Sequence, residues 1–316
     1  MQRTDCITVN TREIPLVAET DVFVAGGGVA GVGAAVRAAR VGAKVILAER
    51  MFCLGGTMTV GLMSKLAISP HNHGLAEEIM ERLDAVQRTH YGNSRPEVPL
   101  DPENAKLLLD QMVIGESGVD VRFGTAVTGV VKQGRVIQAV VISSIEGEQA
   151  IRAKYFIDCT GDGQMAFLAG AAYMVAEGDA YASSPTMLFR IGNCHLDKLF
   201  DYMEDNPELF TLSYPTYSHH VMSVSTYREN LKNQLYIHIA DFVRLIQLRC
   251  AENPDLFTDE EREILLRRGL LFINQPNGNH VLVNSTTQPH WHGGSAEELP
   301  PAGPIQIAVM PSLRVL

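Results

Sequence analysis

Gly26, Gly28 and Gly31 stand in G-x-G-x-x-G spacing inside the stretch DVFVAGGGVAGVGAAVRAARVGAKVILAER, and an acid, Glu49, lies near its end. The chemistry this set offers is recognition of a dinucleotide rather than bond making. Each glycine answers a separate steric demand. Gly26 makes a tight turn, Gly28 lets a pyrophosphate approach the backbone, and Gly31 lets a helix pack close to a sheet. Val29, Ala30 and Gly31 open that helix, and its free N–H groups and positive dipole end suit phosphate. A carboxylate at Glu49 stands where it can accept hydrogen bonds from both hydroxyls of an adenosine ribose. The alternative, a merely structural glycine turn, does not explain why strand, loop, helix, strand and acid all fall in register.

The positioning elements are legible around these residues. Val22 to Ala25 form an apolar strand; Ala30, Gly33, Ala34, Ala35, Ala38 and Ala39 give a helix of little bulk that Gly42 ends; Val45 to Ala48 form a second strand. Upstream, TREIPLVAET reads as a short extended segment placed before the first strand. Past Glu49, the glycines and threonine of LGGTMTVGLM leave two readings open. Gly55, Gly56 and Thr57 are either a second close approach of backbone to a ligand or an ordinary turn. His71 and His73 beside Pro70 read as solvent-facing or hydrogen-bonded side chains before substrate groups.

Leu75, Ile79, Leu83 and Val86 have helical spacing, and a second helix begins at Asp101 as its cap, with Pro102 in the first turn and Leu107, Leu108, Leu109 and Met112 directed inward. Strands follow in VDVRF, TAVTGVV, RVIQAVVI and QAIRAKYFIDC, so that three antiparallel strands are inserted before the last parallel one. That one, Tyr155 to Asp158, runs into Cys159, Thr160, Gly161, Asp162 and Gly163 at the sheet end where doubly wound folds take ligands. Cys159 reads as a small residue in a tight strand end before a redox thiol. Beyond Gly170 the texture changes. Pro185 to Asn193 reads as sheet, Leu196 to Met203 and Ile239 to Glu252 as helix, Asp259 to Arg268 as an acidic helix, and NQPNGNHVLVNST as a strand pair. Arg190, in an apolar strand, calls for a carboxylate, with a structural one favoured over a substrate acid. From Pro289 on, prolines at 300, 301, 304 and 311 break every pattern, and His290 and His292 around Trp291 have no scaffold on which to hold a metal.

Of 316 residues 46% are hydrophobic, enough for a large core or two domains. The net charge is −10 with no basic block, which argues against a nucleic-acid footprint. No apolar run reaches the roughly 18 residues that span a bilayer, and MQRTDCITVN lacks a secretory core, so the expected location is cytoplasmic. Five cysteines with no CxxC pair read as reduced thiols.

Together these motifs resemble the FAD-dependent oxidoreductases of the glutathione-reductase-like superfamily, in particular a bacterial family of that type. The resemblance runs from about Asp21 to Thr287. It rests on the glycine stretch, LGGTMTVGLM, DPENAKLLLDQM and FIDCTGDGQMAFLAGA. It implies an α/β fold: a Rossmann-like FAD-binding domain over 1–175 with a parallel sheet and an inserted three-stranded antiparallel β-meander, then a mixed α+β substrate or cap domain over 176–288 and a divergent tail over 289–316. It also implies FAD as cofactor and a small-molecule substrate. Gly26, Gly28 and Gly31 would lie at the pyrophosphate, Glu49 and Arg50 at the ribose and adenine side, and Gly55, Gly56 and Thr57 along the inner part of the cofactor. The Val127 backbone would meet the adenine, and Thr160, Gly161 and Asp162 would line the adenosine half. The redox cysteine pair of the superfamily's disulfide reductases is absent, which excludes a dithiol relay. Members also return to the first domain through a C-terminal strand, glycine turn and helix, and here Pro289 onward takes their place. The expectation is a truncated or frame-shifted product with low FAD occupancy and little turnover. The competing functions are a non-catalytic fragment and an NAD-binding dehydrogenase, which the inserted strands and CTGDG speak against.

Overall fold

In the computed structural model the described residues are 13–63, 73–91, 100–173, 188–210, 224–225, 228, 236–238, 243–255, 259, 271–274 and 280–284. Backbone contacts divide the chain into two compact units, one of residues 5–174 and one of 1–4 with 175–316.

The first unit is built on a six-stranded sheet of order β3-β2-β1-β6-β5-β4. Its elements are β1 (Leu16–Ala25), α1 (Val29–Arg40), β2 (Val45–Ala48), α2 (Leu75–Tyr91), α3 (Pro102–Ile114), β3 (Val119–Arg122), β4 (Ala126–Gln133), β5 (Val136–Ser144), β6 (Gly147–Asp158) and α4 (Gln164–Leu168). Strands β3, β2, β1 and β6 run parallel, whereas β4 and β5 are antiparallel. Strand β6 is therefore the third strand of the meander and the returning parallel strand in one. Its residues from Ala150 to Asp158 pair with Leu16 to Ala25. Leu16 to Thr20, the second half of the extended segment expected before the first strand, are likewise part of β1. The reason is shared: each long strand finds a partner for its outer half in the other.

Residues Val22 to Ala25 are all buried, as expected of a parallel strand covered on both faces. Val22, Val24, Val45 and Leu47 pack with Val32, Ala35 and Val36 of α1 and with Leu108, Leu109, Met112 and Val113 of α3. On the other face Phe23, Ala25, Ile46 and Ala48 pack with Val127, Val140, Ile142 and Ile151, so the meander curls over the parallel strands. Ile79 and Leu83 bring α2 into the first of these cores. The Asp101 carboxylate caps α3 by accepting from the Glu103 N–H at 2.9 Å, with Pro102 in the first turn. Leu107, expected inward, is 50% exposed. The inward set is Ala105, Leu108, Leu109, Met112 and Val113, because the 3.6-residue period turns Leu107 to the opposite side. Arg40 of α1 holds Glu78 of α2 at 2.6 Å and Glu116, after α3, at 2.7 Å, and both ion pairs raise the affinity of the guanidinium for its proton.

The second unit contains an antiparallel sheet of order β7-β10-β9-β8, formed by Phe189–Gly192, His280–Asn284, Leu271–Asn274 and Tyr236–His238. Helix α5 (Leu196–Asp205) buries Phe200 and Met203, and the helix Val243–Glu252 buries Leu245. The Arg228 guanidinium lies 5.2 Å from the Phe200 ring centre and bonds Asp201 at 2.6 Å. Arg190 sits in β7, opposite Leu282. His71, Asp259 to Arg268 beyond its first residue, and the segment from Pro289 onward fall outside the described residues.

Candidate functional site

The glycine loop lies where β1 ends and α1 begins, between the ends of β2 and β6. Ala25 is followed by Gly26 with φ +93, a conformation that strains any residue with a side chain. A side-chain carbon at Gly26 would also stand 2.4 Å from the Cys159 carbonyl oxygen, and one at Gly31 would stand 1.8 Å from the Gly26 carbonyl oxygen. Both positions are filled by neighbouring backbone. Gly28 is different: a carbon added there meets nothing within 4 Å.

That open space lies at the start of α1. Gly28 is the N-cap and offers no side-chain cap, and no acid occupies the first turn. The first backbone bond of the helix runs from the Val32 N–H to the Gly28 carbonyl at 2.9 Å, so the N–H groups of Val29, Ala30 and Gly31 have no partner within the helix. Val29 and Ala30 are exposed. Uncapped donors, a positive helix end and vacant volume in front of Gly28 form a cradle for an anion.

Glu49 is 6% exposed at the end of β2. Its Oε2 accepts from the Gly27 N–H at 2.5 Å and its Oε1 from the Met51 N–H at 2.7 Å. An ionised carboxylate offers about four acceptor positions, so these bonds leave lone pairs for further donors. Arg50, the next residue, is exposed. Across the sheet end, the Thr125 N–H donates to the Glu49 carbonyl at 2.9 Å and carries the chain into β4, where Val127 is 8% exposed and packs with Ala25 and Ala48. The structure thus brings Glu49 and Val127 to the same end of the sheet.

The Gly55 to Thr57 turn docks on the first loop. Gly28 and Gly55 form a parallel bridge, the Gly55 N–H donates to the Gly27 carbonyl at 2.9 Å, and a side-chain carbon at Gly56 would lie 3.2 Å from the Gly28 Cα. The close backbone approach seen at this turn is to the other glycine loop. Gly56 and Met58 bound a single 3-10 turn in which Thr57 is exposed. Below it, the buried Thr59 hydroxyl donates to the Leu54 carbonyl at 2.6 Å.

Thr160, Gly161 and Asp162 follow β6, and the Cys159 N–H donates to the Ala25 carbonyl at 2.7 Å. Asp158, which the sequence reading did not single out, organises this turn. Its Oδ1 accepts from the Thr160 N–H at 3.0 Å and hydroxyl at 2.7 Å, and its Oδ2 accepts from the Ala166 N–H at 2.8 Å. Burial pushes the Asp158 carboxyl up, but the N–H donors of Ala166 and Thr160 and the Thr160 hydroxyl outweigh it and hold the group below the usual carboxylate value. Gly161 and Asp162 remain exposed. The Cys159 thiol is raised by burial and by Asp158, which disfavours the reactive thiolate. Gly27 and Thr125 were also missed, since their roles rest on backbone groups that carry no sequence signal.

Among the described residues no group of three His, Cys, Asp or Glu is placed to hold a metal, and no helix is long and apolar enough to cross a membrane. His73 is exposed.

In comparison with known proteins, the family described as FAD dependent oxidoreductase matches residues 21–305. The match passes Thr287 and takes in part of the segment read as a divergent tail. No curated protein matches the chain. Among solved structures, THI4 of Thermovibrio ammonificans is 22% identical at TM-score 0.35, covering 49% of this chain and 64% of its own. A geranylgeranyl bacteriochlorophyll reductase-like protein of Thermoplasma acidophilum is 22% identical at TM-score 0.39, covering 48% of this chain and 42% of its own. The p-nitrophenol 4-monooxygenase PnpA of Pseudomonas putida is 14% identical at TM-score 0.35, covering 54% and 47%. The chain therefore spans less than two thirds of each of these relatives.

Proposed function

The chain belongs to the FAD-dependent oxidoreductase family, and we propose on that premise that its first unit holds FAD for the oxidation or reduction of a small organic substrate. The observation that carries this reading is the vacant space at Gly28 in front of an uncapped helix end without acidic residues. A pyrophosphate needs that combination of room, N–H donors and positive potential.

In this assignment Gly26, Gly28 and Gly31 shape the loop, and the N–H groups of Val29, Ala30 and Gly31 bind phosphate oxygens. Glu49, fixed by Gly27 and Met51, keeps its remaining lone pairs for the ribose hydroxyls. Arg50 and the Val127 backbone flank the adenine, Thr160 to Asp162 border the adenosine half, and Gly55 to Thr57 continue toward the flavin. FAD, when bound, supplies the hydride-accepting ring. The second unit is assigned the role of substrate domain.

The deciding experiment is the visible spectrum and flavin content of the purified chain after incubation with FAD. A protein-bound flavin spectrum at one FAD per chain supports the assignment. A chain that retains no flavin and instead binds a nicotinamide nucleotide contradicts it.

A further inference from the structure

We propose that Asp158 is the positioning residue that pre-forms the 159–163 turn as one wall of the cofactor loop, so that FAD affinity depends on it although it sits behind the exposed turn. This inference rests on the FAD assignment. It starts from the way one carboxylate closes the turn from both ends. Oδ1 takes the N–H and the hydroxyl of Thr160 at the beginning, and Oδ2 takes the Ala166 N–H beyond the end. The Thr160 hydroxyl in turn accepts from the Gln164 N–H at 2.9 Å, which joins the two halves through a second route.

The turn needs such a closure. Gly161 and Gly163 both have positive φ, at +81° and +65°, and a segment with two glycines in that region loses much conformational freedom on ordering. The closure also has a direct structural neighbour in the glycine loop. The Cys159 carbonyl and the Thr160 Cα occupy the space where a Gly26 side chain would stand, at 2.4 and 2.9 Å. A displaced turn therefore removes the backbone wall against which Gly26 is folded. Asp158 acts on the loop through Thr160 and Ala166.

The test uses the full chain with Asp158→Asn, Asp158→Ala, Thr160→Val, Thr160→Ser and the Asp158→Asn/Thr160→Val pair. FAD affinity is measured by flavin-fluorescence titration, and amide hydrogen exchange at residues 160–166 is measured without cofactor. Loss of charge-assisted bonds predicts FAD binding weakened roughly tenfold or more in Asp158→Asn, and further in Asp158→Ala. Thr160→Val should weaken binding, Thr160→Ser should restore it, and the pair should lose less than the two single losses combined, because both changes break one network. Exchange at Ala166 and Thr160 should accelerate in Asp158→Asn while β1 and β2 stay protected. Wild-type FAD affinity in Asp158→Asn, additive losses in the pair, or unchanged exchange at Ala166 would overturn the proposal. If either Asp158 variant fails to fold, the Thr160→Val and Thr160→Ser comparison decides in its place. A wild-type chain that takes up no FAD refutes the flavoprotein assignment, and the exchange measurement then still decides whether Asp158 holds the turn.

Discussion

Glu49 Oε2 accepts a 2.5 Å hydrogen bond from the Gly27 N–H, which ties the end of β2 to the middle of the glycine loop. The carboxylate expected to serve only a ribose is thus also a fastener of the protein's own backbone. The observed fastening and the proposed ribose role fall on one buried side chain, so substitutions must be read with two measurements.

Replacing Glu49 with Ala leaves the Gly27 and Met51 N–H groups without their acceptor. The expected cost is about 1–3 kcal/mol of stability, seen as a lower midpoint in urea unfolding of the cofactor-free chain. FAD affinity should fall in addition, by about 1.5–3 kcal/mol for hydrogen bonds to a charged group. An unchanged flavin dissociation constant in Glu49→Ala would remove the ribose role and leave the fastener.

Gly28 and Gly31 should separate binding from folding. A carbon at Gly28 meets open space, whereas one at Gly31 meets the Gly26 carbonyl at 1.8 Å. Gly28→Val is expected to keep its circular dichroism and lose FAD retention, since the side chain fills the anion cradle. Gly31→Val should unfold or aggregate, because helix and loop backbones have to part. Full flavin stoichiometry in Gly28→Val would refute the cradle.

Asp158 gives a pH signature. Its folded carboxyl lies below the usual 3.8, so its contribution is fully present above that value and is lost as pH falls through the lower folded value. Asp158→Asn should lower the stability of the cofactor-free chain at neutral pH and lessen the acid dependence below pH about 4. Parallel acid-unfolding curves for variant and wild type would show that the carboxylate is not held as described.

The Asp101 cap offers a control remote from the cradle. Asp101→Ala leaves the Glu103 N–H without its partner and should cost about 1 kcal/mol. FAD affinity should be unchanged at temperatures where the chain stays folded. A drop in affinity equal to that of Glu49→Ala would indicate that α3 bears on the loop more directly than its contacts imply.

The sequence by itself determined the βαβ unit, its glycines, Glu49, the Asp101 cap and the meander, because each is written in neighbouring residues: a spacing, a turn pair, an alternation of apolar side chains. The family followed from the same local signals. Tertiary structure alone decided how these pieces meet. The Glu49 to Gly27 bond joins residues 22 positions apart, and the Gly55 turn reaches Gly28 through backbone groups that every residue carries. Asp158 had no distinguishing signal, because a carboxylate at a strand end reads the same whether it faces water or gathers the N–H groups of Thr160 and Ala166. Leu107 shows the same division on a helix: its hydrophobicity predicts burial, and only the packing of α3 against α1 and the sheet settles which side of the turn is covered.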